Sequence, residues 1–135
     1  MGLASIFKSL LSGGKTDLSA RFEILREAIS GTMSKFYKAR DRQTNEIVGL
    51  KILDPDKTRA FESRFKGLTK PSEGEIAVAI HHPRVVRTFE HGISTKDETY
   101  LVMEYLDGPG LNSLIIGRGK ELTGHRLPLL RQMAE

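Results

Sequence analysis

Between Phe22 and Leu53 three β-prone stretches follow one another with only short turns between them, and this constrains the fold more than any other feature of the chain. RFEILREAIS alternates in part and is rich in Ile and Phe. GTMS, with Gly31 and Ser34 as turn residues, leads into KFYKARD. The polar RQTNE then leads into EIVGLKIL. Strands joined by such short connections pair antiparallel, as a meander. The third stretch carries a charge, Lys51, among Leu50, Ile52 and Leu53. A lysine there can run its stem along a strand edge and leave its ammonium in water.

After Leu53 the pattern changes. DPDKTRAFESRFKGLTK is polar and charged, with Phe61 and Phe65 four apart on one helical face. PSEGEIAVAIHH predicts a helix. Pro71 suits its first turn, Ser72 with Glu75 matches a capping box, Ile76 and Ile80 share a face, and Pro83 ends it. RVVRTFEHGIS and ETYLVMEYL read as two more strands around TKDE. DGPG is a loop, and LNSLII and LPLLRQMAE are helical segments separated by Gly117, Gly119 and Gly124. The order is β-β-β-α-β-β-loop-α-α, with no internal repeat.

A chain of 135 residues fits one domain or part of one. The formal charge is only +4, with acids and bases interleaved and no block of five like charges. That describes a solvated surface; a small basic nucleic-acid-binding domain is the less favoured alternative. With no cysteine there is neither a disulfide nor a thiolate metal site, which fits a reducing, cytoplasmic setting. The histidines fall into no ligand spacing, so no metal site is expected. No apolar run approaches the ~20 residues that span a bilayer. At the N-terminus Leu3, Ile6, Phe7, Leu10 and Leu11 fall on one face of a short helix. Gly2 lacks the Ser or Thr at position 6 that a myristoylation signal wants. Residues 1–21 are expected to be a flexible or weakly docked leader.

The order of elements, with a lysine on the third strand, resembles the N-terminal lobe of a protein kinase. ISGTMSKFYKARD is similar to the Gly-rich loop and second strand, most of all in bacterial-type Ser/Thr kinases. VGLK stands where the family has Val-Ala-Ile-Lys. HHPRVV resembles the turn after the lobe's helix, and YLVMEYLDGPGL the fifth strand and hinge. The resemblance covers about Phe22 to Glu135. It implies an α+β fold: a kinase-like N-lobe over residues 22–106, with a five-stranded antiparallel sheet and one main helix. Residues 107–135 would be the hinge exit and the first helices of a truncated C-lobe.

The resemblance also implies ATP as cofactor and a protein hydroxyl as phosphoryl acceptor. Lys51 would reach the α and β phosphates if a carboxylate holds it in place. Counting back from Pro83 by the family's offset gives Glu73 as that partner. The capping box puts Glu73 in the first turn, and Glu75 is the alternative, unless it serves only as the capping carboxylate. Ile29, Gly31 and Ser34 stand at the three loop positions whose backbone N–H groups approach phosphate. Phe36 stands where a valine packs on adenine, or else it is plain core. Gly49 leaves room for adenine against the strand. Met103 matches the gatekeeper, and the backbone of Glu104 and Leu106 would pair with the adenine edge.

The sequence contains no His-Arg-Asp base with its metal-binding Asn and no Asp-Phe-Gly. HRL at His125–Leu127 lacks the Asp. The expectation is therefore the ATP-binding portion of a Ser/Thr-type kinase, inactive alone, with Mg²⁺ bound only once the C-lobe is present. The alternative outside enzymology is a non-catalytic kinase-like regulatory module that works through protein contacts.

Overall fold

The computed structural model describes residues 14–117 and 120–135. Five strands, β1 (Phe22–Ser30), β2 (Ser34–Asp41), β3 (Ile47–Leu53), β4 (Thr88–Ile93) and β5 (Thr99–Glu104), form one antiparallel sheet in the order β1-β2-β3-β5-β4. The first three are the expected meander. The RQTNE hairpin closes through a hydrogen bond from the Asp41 N–H to the Glu46 carbonyl, with Asn45 in the left-handed region at φ 62°. That is a conformation asparagine tolerates better than most residues.

Register assigns the two faces. Ala39 lies opposite Val48, and Tyr37 lies opposite Leu50, which faces Val102 on its other side. Ala39, Val48, Leu50 and Val102 make the buried core with Phe22 and Tyr100, and Leu18, Tyr37 and Ile52 pack against it. The opposite face carries Gly49, Lys51 and Leu53 of β3. The strand's period of two therefore puts Lys51 on the face away from this core.

Helices flank the sheet. A short turn of helix, α1 (Leu18–Arg21), precedes β1. Helix α2 (Pro55–Glu62) follows β3, and α3 (Glu73–Ala79) precedes β4. Helices α4 (Leu111–Ile116) and α5 (Arg126–Ala134) follow β5. Three sequence expectations are corrected here. The polar stretch after β3 is a true helix, capped by the Asp54 carboxylate accepting from the N–H groups of Asp56 and Lys57, with Pro55 at its first position. Helix α3 is shorter than expected. Pro71 lies outside it, ahead of the Ser72 N-cap, and the helix stops at Ala79 with Ile80 extended at its end, well before Pro83. Ile80 therefore does not extend a helical face with Ile76, and both are exposed.

The third correction concerns the leader. Its residues 1–13, including the apolar stripe from Leu3 to Leu11, lie outside the described residues. Its last residues are docked, not loose. Thr16 donates to the Ile93 carbonyl and accepts from the Thr95 N–H, both at 3.0 Å. Arg21 then grips the sheet with a bidentate ion pair to Glu90 at 2.6 and 2.8 Å and a second pair to Asp41 at 3.0 and 3.4 Å. The Tyr100 hydroxyl donates to Glu90 and sits 2.8 Å from the Thr16 hydroxyl.

The Arg21 hydrogen bond holds the Glu90 carboxyl below the ordinary carboxylate range. A depressed folded value contributes stability that is complete above the unfolded value, about 4.3. That stability is lost as pH falls through the folded value. In thermal melts the advantage of the unchanged chain over Glu90→Gln should therefore shrink as pH drops below about 4. A gap constant from neutral to acid pH would show that Glu90 is not the linked group.

The two C-terminal helices leave apolar side chains in solvent, among them Ile116, Leu127, Leu130 and Met133. Leu114, Ile115, Leu122, Leu129 and Met133 help to line a groove of about 360 Å³ between them. Among the described residues no helix is long and apolar enough to cross a membrane.

Candidate functional site

The site forms where β3, the β1–β2 turn, α3 and the end of β5 meet on the face opposite the core. Strand alternation delivers Lys51 to it. Helix α3 delivers Glu73, its first residue, because the Ser72 cap starts the helix there. The Lys51 ammonium donates to a Glu73 carboxylate oxygen at 2.5 Å, across 22 residues of chain. The lysine side chain is 28% exposed and the glutamate 52%, so the pair stands at the mouth of the site and keeps access to an anion from solvent.

The alternative carboxylate is occupied elsewhere. Glu75 accepts from the Ser72 N–H at 2.6 Å while the Ser72 hydroxyl accepts from the Glu75 N–H, a complete capping box. That backbone hydrogen bond lowers the Glu75 carboxyl below its usual value. Two acids two residues apart on one helix turn thus point in different directions, one to the backbone and one to Lys51.

Helix α3 seats against β4 through a glycine. Gly74 is buried, and a β-carbon built on it would lie 2.6 Å from Cβ and Cγ of His91. Neither Gly74 nor His91 belongs to a motif in the sequence. The helix backbone can come this close to β4 only because position 74 has no side chain, and the approach fixes where Glu73 stands. The signal was a glycine inside a helix, a position that costs about 1 kcal/mol against alanine and so asks for a packing reason.

The β1–β2 turn is tied to the end of the strand that carries Lys51. Gly31 donates to the Ser34 carbonyl at 2.8 Å, closing the turn, and Met33 accepts from the Asp54 N–H at 2.9 Å, tying the turn to the end of β3. Ser34 pairs with Leu53, and Ile29 pairs with Phe36. At the far side Met103 lies opposite Gly49. The Glu104 N–H donates to the Arg87 carbonyl, which holds the end of β5, and Leu106 is exposed just beyond it. Tyr105 is braced over this edge, its hydroxyl accepting from Arg26 and its ring lying 4.8 Å from the Lys38 ammonium. Phe36 is opposite Lys51 in register, yet its ring leans back along the sheet and lies over Gly49.

The remaining candidates do not converge here. His82 accepts the Arg84 N–H in the turn after α3, and His125 precedes α5, so HRL is a helix start. Among the described residues no group of three His, Asp or Glu could hold a metal ion. The Mg²⁺ that the resemblance implies has no ligand set here.

Comparison with known proteins fits this geometry. The protein kinase domain model matches residues 22–130. The chain belongs to the protein kinase family. It is 37% identical over 112 residues to CBL-interacting protein kinase 19 of Oryza sativa subsp. japonica, covering 81% of this chain and 21% of that protein. It is 36% identical over 107 residues to CBL-interacting serine/threonine-protein kinase 2 of Arabidopsis thaliana, covering 77% and 22%. The chain thus spans about a fifth of the length of these relatives. The chain's sheet is the five-stranded antiparallel one expected of an N-lobe.

Proposed function

We propose that this chain is the ATP-binding portion of a Ser/Thr-type protein kinase. Lys51 grips the α and β phosphates, and Glu73 holds it in place. The observation that carries this reading is the Lys51–Glu73 pair at 2.5 Å. A flexible lysine alone is a roaming point charge. One fixed by a carboxylate presents its remaining donors in a set direction, which is what an anion of defined geometry needs.

The Gly31–Ser34 turn, pinned through Met33 to Asp54, forms the roof over the phosphates. The backbone of Glu104 and Leu106 receives the adenine edge beside Met103. Residues 22–106 act as the lobe and residues 107–135 as the exit toward a second lobe. Phosphoryl transfer to a protein hydroxyl needs a base and Mg²⁺ ligands, and no stretch of the 135 residues supplies them. The reading is therefore of nucleotide binding here and chemistry only with the second lobe. A cytoplasmic setting, rich in ATP and reducing, suits a chain without cysteine.

The test is calorimetric titration of the 135-residue chain with ATP and with adenosine. Lys51→Met should weaken ATP on the order of tenfold or more, since a hydrogen bond to a charged group contributes about 1.5–3 kcal/mol. Adenosine, which has no phosphate, should bind both chains alike. Equal ATP affinity in the two chains would overturn the assignment of Lys51.

A further inference from the structure

The phosphate end of the site is open, but its other end is filled from within. A β-carbon built on Gly49 would lie 2.5 Å from Cζ and 2.9 Å from Cε2 of Phe36, and 3.2 Å from Cγ of Met103. Real β-carbons do not come as close as the two Phe36 atoms, so the Phe36 ring occupies the volume that a side chain at position 49 would take, with the Met103 side chain tight beside it. Gly49 is buried as a result, although it lies on the sheet face opposite the core.

Gly49 and Lys51 share that face two residues apart, about 7 Å along the strand. A flat ring lying on Gly49 is thus placed where the base of a nucleotide would lie with its phosphates toward Lys51. Above the Gly49 backbone lies the edge of a phenyl ring, with the Met103 side chain beside it. These are the properties of a slot for an aromatic heterocycle, and the chain's own aromatic ring is in it.

Phe36 is only partly buried, and it contacts Gly49 through Cζ and Cε2, the far end of a side chain that turns about two bonds. Its backbone is fixed by pairing to Ile29 on one side and Lys51 on the other. Rotation of the ring therefore clears the slot without moving a strand.

We infer that Phe36 is an internal plug of the purine slot over Gly49, and that a nucleotide binds only when this ring swings out. The inference rests on the nucleotide-binding reading above and adds to it a residue that sets affinity. A ligand that binds only the ring-out state has its affinity reduced by the fraction of time that state is populated. The plug should act on the base and not on the phosphates, so its effect is the same for adenosine as for ATP. Lys51→Met behaves differently, since it acts on ATP alone.

The experiment is titration of the unchanged chain and of Phe36→Val with adenosine. It is paired with nuclear Overhauser measurements between the Phe36 ring protons and the Gly49 α-protons in the unchanged chain. The expected result is adenosine binding to Phe36→Val tighter by about tenfold or more, as for an open state populated about a tenth of the time. The ring-to-Gly49 contact should be present without ligand and lost at saturating adenosine. The second readout needs no substitution and holds even where the variant folds poorly. Equal or weaker binding by Phe36→Val, or a ring-to-Gly49 contact that persists in the saturated complex, would overturn the plug and leave nucleotide binding intact. Failure of both chains to bind either adenosine or ATP would overturn the plug and the nucleotide reading together.

Discussion

Arg21→Ala is expected to lower the stability of the chain by about 3 kcal/mol. Removing one partner of a buried ion pair costs about 3–5 kcal/mol because the other charge is left without compensation. The lower end applies, since Asp41 is 4% exposed but Glu90 is 39% exposed and can recruit water. Asp41 keeps the Gln43 N–H, which donates to its carboxylate at 2.9 Å. The loss extends to packing. The guanidinium lies 4.8 Å from the centroid of the Phe22 ring, which is 2% exposed. It also ties α1 and the Thr16 bridge to three strands at once. Urea denaturation should show the midpoint falling, and limited proteolysis should cut first within residues 14–21. Arg21→Lys should recover part of the loss, as an ammonium keeps the charge but not the two-pronged geometry. An Arg21→Ala midpoint within the error of the unchanged chain would mean that water replaces the network at no cost.

This network marks the limit of what the sequence could tell. Ser72 and Glu75 are three apart, and a spacing of three on a helix start is a physical instruction that can be read directly; the capping box is where it was expected. Asp54 followed by Pro55 is an equally local helix start. The polar character of the residues after it hid α2 all the same, because most of that helix faces water and has no apolar stripe to reveal it. Lys51 was conspicuous as a charge among aliphatics, yet its partner is 22 residues away. The offset from Pro83 pointed to Glu73 and the capping-box spacing gave Glu75 another task, and the geometry has each carboxylate in that place.

Arg21 and Glu90 are 69 residues apart. Nothing about either residue in its own neighbourhood distinguishes it from the other charges of an interleaved surface. Phe36 and Gly49 show a different limit. The sequence gives the sizes of both residues, and strand register even places Phe36 opposite Lys51, but whether the ring points along β3 or away from it is decided by the space that packing leaves. The order of strands, which depends on turn length and alternation, was legible. The contents of the slot, which depend on one rotamer, were not.

Gly74→Ala is expected to uncouple the helix from the site. Two effects oppose one another at this position. Alanine is the better helix residue by about 1 kcal/mol. The added β-carbon, however, would lie 2.6 Å from Cβ of His91, an atom fixed to the β4 backbone that cannot move aside. Overpacking of this kind costs about 1–3 kcal/mol, so the clash outweighs the propensity gain and α3 must retreat from the sheet. Glu73, one residue earlier and first in the helix, retreats with it, and its hydrogen bond with Lys51 is lost. The consequence for stability is modest, but for the site it is large. Lys51 loses the carboxylate that orients it, and the selectivity for ATP over adenosine should fall toward that of Lys51→Met. His91→Gly in the same chain removes the atoms that the alanine meets and should restore both the seating and the selectivity, whereas His91→Ala retains the offending β-carbon and should not. If Gly74→Ala instead melted higher and kept its preference for ATP, the position of α3 would be set by contacts other than this one, and Glu73 would reach Lys51 without the close approach at Gly74.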